Sequence, residues 1–224
     1  MTIRDRIEQL ENANLADYAL QASQSRGRRF PDAPHDYRTC FARDRDRIIH
    51  SRAFRRLEYK TQVFANSVGD HYRTRLTHTR EVAHISRAVA RALRLNEDLA
   101  EAVALAHDIG HSSFGHSGES TLHHLMQENG GFDHNRHGLR IVDILERHTP
   151  GRDGLNLTYE VRESFAKHNA LPAHESPERR QIADAGFDPA EQLPIECQLG
   201  SLTDEIAYKS HDIDDGLKSR MIQL

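Results

Sequence analysis

The spacing of apolar residues predicts a chain built from amphipathic helices. The clearest stripe runs through residues 77–95, where an apolar side chain recurs every three or four positions: Val82, Ile85, Val89 and Leu93. This spacing matches the period of an α-helix, so one face of the segment is expected to be buried. Thr77 can act as the N-cap of this helix, which would place His78 in its first turn.

The same periodicity predicts helices over most of the remaining chain. They cover residues 2–24, 38–64, 96–106, 119–128, 135–148, 158–168 and 195 to about 220. Residues 169–194 contain four prolines and few large apolar side chains, so they are predicted to form an exposed, flexible insertion. Neither strand-like alternation nor an internal repeat is present in the sequence, and the predicted fold class is all-α.

The predicted last helix has an apolar side and a polar side. Its apolar positions are expected to face the core: Ile195, Leu199, Leu202, Ile206 and Ile213. Roughly opposite, and within about 80° of one another on a helical wheel, are Asp204, Tyr208, Asp212 and Asp215. Acids spaced in this way are typical of a solvated helix face. Because the chain ends at Leu224 while the helical pattern continues, we expect it to be a partial chain.

Length and composition favour a single domain without membrane association. The chain has 224 residues and a net charge of −4 with neutral histidines, so no global basic character points to nucleic acid. Two cysteines, Cys40 and Cys197, form neither a disulfide framework nor a metal knuckle. No apolar run is long enough to span a membrane, and residues 1–14 are too charged for a signal peptide. We therefore expect a cytoplasmic protein.

The domain plan is an N-terminal helix and basic connector over residues 1–37, followed by the chemistry-bearing domain over residues 38–220. Arginines are dense in residues 38–56. On composition alone, this segment is either a helix with a solvated basic face or a surface that collects positive charge for phosphates. Guanidinium groups bind phosphates in bidentate fashion, which supports the second interpretation.

The richest chemistry lies in residues 104–119, which read ALAHDIGHSSFGHSGE. The preceding apolar helix, capped by Asn96, is expected to carry His107 and Asp108 into the interior. Buried polar groups are costly unless they are hydrogen-bonded or bound to metal. Adjacent helical positions point about 100° apart, so the pair needs further ligands from other helices to hold a cation.

A helix-start histidine upstream and a helical aspartate downstream complete a mixed nitrogen and oxygen ligand set. Such a set suits Mn²⁺, Fe²⁺, Co²⁺, Zn²⁺ or Mg²⁺ with positions left open for water. This arrangement favours metal-assisted hydrolysis of a phosphate ester. His116 could shuttle a proton, oriented by Glu119 three residues later. His111 is interpreted as a loop histidine.

Five ordered segments resemble the deoxyguanosine triphosphate triphosphohydrolase-like proteins of the HD superfamily. They are RDRDRIIHSRAFRRLEYKTQVF, RLTHTREVA, ALAHDIGHSSFGHSGE, FDHNRH and LTDEIAYKSHDIDD. The resemblance covers about residues 20–220 and implies an HD-domain helical bundle with a metal site between helices. Asp133, in FDHN, departs from the glutamate that the family often has. Family members usually run well past the last metal aspartate.

The resemblance implies a role for several residues. The metal ligands would be His78, His107, Asp108 and Asp204. They would hold one divalent ion, with Mn²⁺ or Mg²⁺ favoured and Fe²⁺, Co²⁺, Zn²⁺ or Ni²⁺ as alternatives. The catalytic residues would be His116, Glu119 and His134.

For the substrate, the resemblance implies a deoxynucleoside triphosphate. Arg75 and Lys167 would bind the triphosphate, and Gln62 would meet the sugar or base. Tyr208 would pack under the deoxyribose, and Asp212 would accept from its 3′-hydroxyl. The implied products are a deoxynucleoside and inorganic triphosphate, and the implied assembly is a homo-oligomer.

Two other classes of function are consistent with the sequence. One is a different HD phosphohydrolase, such as a nucleoside monophosphatase or a hydrolase of guanosine tetraphosphate. The other is a non-catalytic module that binds nucleotides or single-stranded nucleic acid through the arginine-rich residues 38–56. A deoxyribose filter at Tyr208 argues against the first, and a complete ligand set argues against the second.

Overall fold

The computed structural model describes residues 1–62, 72–147, 149–167 and 177–218. Within these ranges the chain forms α-helices joined by loops and short helical turns, with isolated bridges but no strand. The all-α prediction is therefore confirmed. Several predictions fall outside the described ranges: the helix ends at residues 64, 148, 168 and 220, and the continuation of the helical pattern to residue 224. No helix among the described residues has the length and apolar character needed to cross a lipid bilayer.

The described residues contain ten α-helices. Their bounds are α1 (Ile3–Asn14), α2 (Cys40–Ile49), α3 (Arg52–Arg56), α4 (Arg75–Ala92), α5 (Glu97–Ala106), α6 (Gly115–Leu125), α7 (His134–Arg140), α8 (Tyr159–Ala166), α9 (Pro177–Asp184) and α10 (Ile195–Lys218). A π-helical turn, Ile141–Leu145, continues α7.

Helix α5 is the centre of the fold. It packs against α2, α4, α8 and α10. Its helical residues beyond the first turn are almost wholly apolar and buried, and four of them are alanines without any exposed surface: Ala100, Ala102, Ala104 and Ala106. Asn96 caps the helix by accepting a hydrogen bond from Leu99 N at 3.2 Å. The predicted buried helix leading to His107 is thus present. Its small side chains let the neighbouring helices approach closely.

Helix α4 begins two residues earlier than the sequence pattern predicts. The N-cap is Thr74, whose hydroxyl accepts from Thr77 N at 3.2 Å. The Thr77 hydroxyl in turn accepts from Thr74 N at 3.0 Å, which completes a capping box. Thr77 is therefore not the cap. As a consequence Arg75 becomes the first helical residue, and His78 remains in the first turn.

Helix α10 is rotated relative to the prediction, so the predicted inward face is wrong. Most of the predicted apolar face is exposed: Ile195 by 39%, Leu202 by 55%, Ile206 by 46% and Ile213 by 59%. The buried stripe consists mainly of small or polar residues: Glu196, Leu199, Gly200, Thr203, Ala207, His211 and Asp215.

Close helix packing explains this rotation of α10. A Cβ on Gly200 would lie 2.9 Å from Val103 Cγ1, so only glycine permits this approach to α5. Thr203 Oγ1 is 2.5 Å from Ser86 Oγ of α4, which satisfies both buried hydroxyls. Glu196 Oε1 accepts from Asn96 N at 3.1 Å. Small residues and paired polar groups therefore decide which face is buried, rather than the number of apolar side chains.

The arginines of α2 are paired with acids instead of forming a free basic surface. Arg43 Nη2 binds Asp32 Oδ2 at 2.8 Å, and Arg47 also binds this carboxylate. Arg45 Nη1 contacts Asp98 Oδ1 at 2.7 Å. The guanidinium groups of these arginines are bound by acids of the same chain. This part of residues 38–56 therefore supports neither the prediction of a solvated basic face nor the prediction of a surface that collects positive charge for phosphates. The single predicted helix over residues 38–64 is also divided, because Ser51 starts α3 as a new N-cap.

Part of the predicted flexible insertion is ordered as a helix. Residues 169–176 lie outside the described ranges, but α9 covers Pro177–Asp184, so the loop prediction is wrong there. Ile182 and Phe187 are 5% and 3% exposed, and the Phe187 ring meets the Tyr159 ring of α8 at 5.1 Å between centroids. These apolar contacts anchor the segment to α8.

Glu11, near the end of α1, makes the stability of the fold depend on pH. Burial raises the pKa of its carboxyl to about 6, although Ala22 N donates to Oε2 at 2.8 Å. As the pH rises from 4.5 to about 6, the folded chain keeps this proton longer than the unfolded chain, so the free energy of unfolding falls. Glu11→Gln removes this titrating group. The substitution should therefore raise the free energy of unfolding by about 1 kcal/mol more at pH 7 than at pH 4.5, a figure that allows for the partial exposure of the carboxyl. Urea unfolding of both chains at the two pH values measures this, and an equal difference at both would contradict it.

Candidate active site

Four predicted metal ligands converge from three parts of the fold. His78 comes from α4, His107 and Asp108 follow α5, and Asp204 comes from α10. His78 Nε2 lies 2.9 Å from Asp204 Oδ1. His107 Nε2 lies 3.4 Å from Asp108 Oδ1 and 3.6 Å from Asp204 Oδ1. One ligand atom each of His78, His107 and Asp108 fits within 4.8 Å of the others, and all three residues are buried.

The backbone of α5 orients His107. Its Nδ1 lies 2.6 Å from the carbonyl oxygen of Ala104, one turn earlier. A carbonyl oxygen can only accept, so Nδ1 carries the proton and donates it. In a neutral ring this leaves the lone pair on Nε2, which faces Asp108 and Asp204. A hydrogen bond from the second ring nitrogen commonly fixes the tautomer of metal-binding histidines.

The charges in the site favour a cation. Burial alone would raise the pKa of the Asp108 carboxyl, but His107 and Arg75 hold it well below its ordinary value. Burial opposes protonation of His107, yet Asp108 and Asp204 raise its pKa to about 9. The site thus holds two ionised carboxylates that attract positive charge. Two imidazole nitrogens and two carboxylates form a donor set that fits a divalent metal ion of intermediate or hard character.

A second cluster lies beside the metal ligands. The rings of His111 and His134 are stacked with centroids 3.9 Å apart. Glu119 Oε1 accepts from His134 Nδ1 at 2.8 Å and from His134 N at 2.9 Å. His111 Nε2 is 3.2 Å from Asp108 Oδ1, which connects the two groups. His111, Glu119 and His134 also have ligand atoms within 4.8 Å of one another.

His111 is a site residue that the sequence analysis missed. It lies in the loop between α5 and α6, as predicted, but it is 8% exposed and packs in the cluster. Burial lowers its pKa to about 2, so the ring is neutral at ordinary pH. The useful signal was the spacing: a histidine three residues after Asp108, immediately after a glycine, can fold back onto the same carboxylate.

His116 lies at the edge of the site. Its side chain is 86% exposed, and its Nδ1 is 3.6 Å from Glu119 Oε2, too far for a hydrogen bond. Glu119 is hydrogen-bonded to His134 and lies within ion-pair distance of His116. The orientation of His116 by Glu119 and the role of His116 as a proton shuttle stay predictions.

Arg75 and Lys167, the two residues predicted to bind the triphosphate, lie in different parts of the structure. Arg75 is buried and donates from Nη1 to Asp108 Oδ2 at 2.9 Å, so it lies beside the metal ligands. Lys167 is also buried, but its Nζ binds the Glu163 carboxylate at 2.5 Å and the Glu191 carbonyl at 2.8 Å. Neither partner belongs to the site. The proposed phosphate contact therefore has geometric support for Arg75 alone.

Lys60 is a further residue that the sequence analysis missed. Its Nζ donates to the carbonyl oxygen of His111 at 2.6 Å. Burial lowers the pKa of this amine to about 8, and the nearby charge of Arg75 adds to the effect. Lys60 thereby holds the loop after Asp108 against the segment that leads to Gln62.

The residues assigned to the sugar offer unpaired acceptors. Asp212 Oδ1 and Gln62 Oε1 are buried and have no hydrogen-bond partner among the described residues. Tyr208, one turn after Asp204, is 45% exposed, and the Asp212 carboxylate raises its pKa. A buried acceptor without a donor is costly, so both oxygens suit a ligand that brings hydroxyl or amine hydrogens.

The sequence of this chain matches a known protein family. Residues 75–209 match the family model of the HD domain, more than half of the chain. The chain belongs to the HD-domain family, and all four predicted metal-ligand positions lie within the matched region.

More particularly, the chain is similar to curated proteins named deoxyguanosinetriphosphate triphosphohydrolase-like protein, which confirms the resemblance seen in the sequence. It is 55% identical over 213 residues to that of Thiobacillus denitrificans, covering 94% of this chain and 55% of the relative. It is 53% identical over 225 residues to that of Geobacter sulfurreducens, covering 100% and 57%. For that of Azoarcus sp. the identity is 53% over 224 residues, covering 100% and 57%. The chain spans about half the length of the curated relatives it matches.

Proposed function

We propose that this chain carries the catalytic site of a metal-dependent deoxynucleoside triphosphate triphosphohydrolase. The observation that carries the proposal is the approach of the buried His78, His107 and Asp108 to one another, with Asp204 against both imidazoles and Arg75 against Asp108. The names of the relatives supply the substrate class. The reaction would add water across the bond between the α-phosphorus and the 5′-oxygen. The products are a deoxynucleoside and inorganic triphosphate.

The four ligands would hold one divalent ion, with Mn²⁺ or Mg²⁺ proposed first. When bound, such an ion polarises a phosphoryl oxygen and makes water more acidic. Because Ala104 O accepts the proton of Nδ1, Nε2 is the nitrogen through which a neutral His107 ring would bind the ion. Arg75 would add a fixed positive charge near the phosphates through a guanidinium whose buried Nε has no hydrogen-bond partner in the part of the chain that the structure describes.

The second cluster would handle protons. Glu119 accepts the hydrogen bond from His134 Nδ1, so His134 Nε2 is the nitrogen that can take up or deliver a proton. The stack with His111 fixes the plane of the His134 ring. His116, at the exposed edge, is proposed to protonate the 5′-oxygen as it leaves.

The sugar would be selected on α10. Tyr208 would pack against the face of the deoxyribose where a ribose carries its 2′-hydroxyl, and Asp212 Oδ1 would accept from the 3′-hydroxyl. Gln62 Oε1 would receive a second donor from the sugar or base. This arrangement gives a reason to prefer dGTP over GTP.

Product identification tests the proposed reaction. The chain is incubated with dGTP and Mn²⁺, and phosphorus NMR follows the products, with GTP and the other deoxynucleotides in parallel. We expect inorganic triphosphate and deoxyguanosine, with slower turnover of GTP. Orthophosphate or pyrophosphate as the main product would refute the triphosphohydrolase assignment. Equal turnover of GTP and dGTP would favour a different HD phosphohydrolase.

The alternative of a single-strand-binding module predicts tight binding that weakens steeply with salt, without turnover under any metal. The pairing of the α2 arginines with acids removes part of the positive surface that this alternative needs. We therefore keep hydrolysis as the proposed function. Homo-oligomer formation and a cytoplasmic location are also proposed.

A further inference from the structure

A chain of side chains runs from the proposed metal centre to the outer part of α4. His78 Nδ1 lies 3.3 Å from Nδ1 of His211, which comes from α10. The other ring nitrogen of His211, Nε2, contacts the Glu81 carboxylate. Glu81 is three residues after His78 on α4, and His211 is seven residues after Asp204 on α10. About one turn of α4 and two turns of α10 therefore bring these partners onto facing sides.

Hydrogen-bond roles fix the direction of this chain. A carboxylate can only accept, so His211 Nε2 donates to Glu81, and Nδ1 of a neutral His211 ring can accept from His78 Nδ1. By the same rule His78 Nε2, 2.9 Å from Asp204 Oδ1, donates to that carboxylate while no ion is bound. An ion held between His78 and Asp204 would take the place of that proton, and the one proton of a neutral His78 ring would then lie on Nδ1, in the bond to His211.

The surroundings keep the three residues in this arrangement. His211 is 6% exposed, and its ring meets that of His78 edge-on with centroids 5.3 Å apart. Arg73 holds the Glu81 carboxylate through Nε at 3.3 Å and the buried Asp215 through Nη1 at 3.1 Å.

We propose that His211 and Glu81 are positioning residues that set the tautomer and orientation of His78 for metal binding. This inference rests on the proposed metal centre and deepens it. The roles of His211 and Glu81 have no counterpart in the sequence analysis. Hydrogen-bond partners of metal-binding histidines typically contribute about 10–100-fold to metal affinity. We therefore predict that removing these hydrogen-bond partners of His78 raises the dissociation constant for the divalent ion.

The experiment titrates Mn²⁺ into the chain and follows the electron paramagnetic resonance signal of the free ion. We expect the dissociation constant to rise about 10-fold for Glu81→Gln and up to about 100-fold for His211→Leu. The matched control is Glu97→Gln, which removes another partly exposed glutamate paired with an arginine, Arg91, away from the site. The control should bind Mn²⁺ as the unaltered chain does.

A conservative variant separates positioning from a purely structural effect. The amide of His211→Gln can accept from His78 through its oxygen and donate to Glu81 through its nitrogen, so it should retain most of the affinity lost in His211→Leu. Thermal unfolding of the ion-free variants by circular dichroism identifies any that fail to fold. Nitrogen-15 NMR of the Zn²⁺-loaded chain should show His78 protonated on Nδ1 and bound through Nε2.

The outcomes are distinct. Equal Mn²⁺ affinity for Glu81→Gln, His211→Leu and Glu97→Gln would overturn the positioning role and leave the metal centre intact. Binding of Zn²⁺ through His78 Nδ1 would overturn it as well. If the unaltered chain binds no divalent ion, the proposed metal centre itself fails, and the inference fails with it.

Discussion

His107→Gln is expected to abolish high-affinity binding of the divalent ion and to lower kcat for dGTP by about 1,000-fold or more. The glutamine amide can still donate to Ala104 O, so the end of α5 should keep its shape. It offers no imidazole lone pair to the ion, and the ion supplies several kcal/mol of charge stabilisation in such reactions. Mn²⁺ titration and release of triphosphate measured on the same preparation check both effects.

His84→Gln is the matched control for this prediction. His84 is an exposed histidine of α4, so the same substitution there should leave ion affinity and kcat unchanged. Circular dichroism of both variants shows whether the fold is kept. Turnover by a folded His107→Gln chain at more than a tenth of the unaltered rate would exclude His107 as an essential ligand.

Gly110→Ala is expected to destabilise the fold by about 3 kcal/mol and to disrupt the His111–His134 stack. A Cβ at residue 110 would lie 1.9 Å from the carbonyl oxygen of His134 and 2.4 Å from the backbone nitrogen of Gly138. Both atoms belong to the backbone of α7, so the contact cannot be relieved by rotating a side chain. Helix α7 would have to move away from the loop that follows Asp108.

Urea unfolding measures the loss of stability, and Gly118→Ala serves as its control. At residue 118 the nearest atom to a new Cβ is the Ser112 hydroxyl oxygen, at 2.8 Å, which can rotate away. Gly118 also lies inside α6, where alanine is favoured over glycine by about 1 kcal/mol. Rotation of Ser112 gives up its hydrogen bond to Gly115 O, and Phe114 Cβ would lie 3.3 Å from the new methyl group, so the control should cost far less stability than Gly110→Ala. A Gly110→Ala chain as stable as the unaltered one would show that α7 does not pack as described.

The sequence was most informative where local and long-range signals agreed. Helix α5 has an N-cap at Asn96, acids in its first turn and an unbroken apolar pattern, and all three features appear in the structure. The convergence of His78, His107, Asp108 and Asp204 was implied by the family resemblance. Spacing alone could not have shown it, because the ligands come from helices up to 126 residues apart in the chain.

The sequence was least informative where packing decided the outcome. The apolar count on α10 favoured a face containing Leu202 and Ile206, but Gly200 and Thr203 allow a closer approach and bury the other face. The hydrogen-bond partner of Glu119 could not be predicted either, because packing decides it. Nothing local to Glu119 indicates that it binds His134, 15 residues away, in preference to His116 on its own helix.

The alanines of α5 have a consequence for the size of cation that the site would accept. Since Ala100, Ala102, Ala104 and Ala106 have no exposed surface, the neighbouring helices rest on single methyl groups. These four positions leave no room for a longer side chain, because the interior is closely packed. Helices α4 and α10 both pack on α5, so we expect an added methylene in this layer to push them outwards and to move His78 and Asp204 with them. The size of ion accepted at the proposed site would then change without the substitution of any ligand.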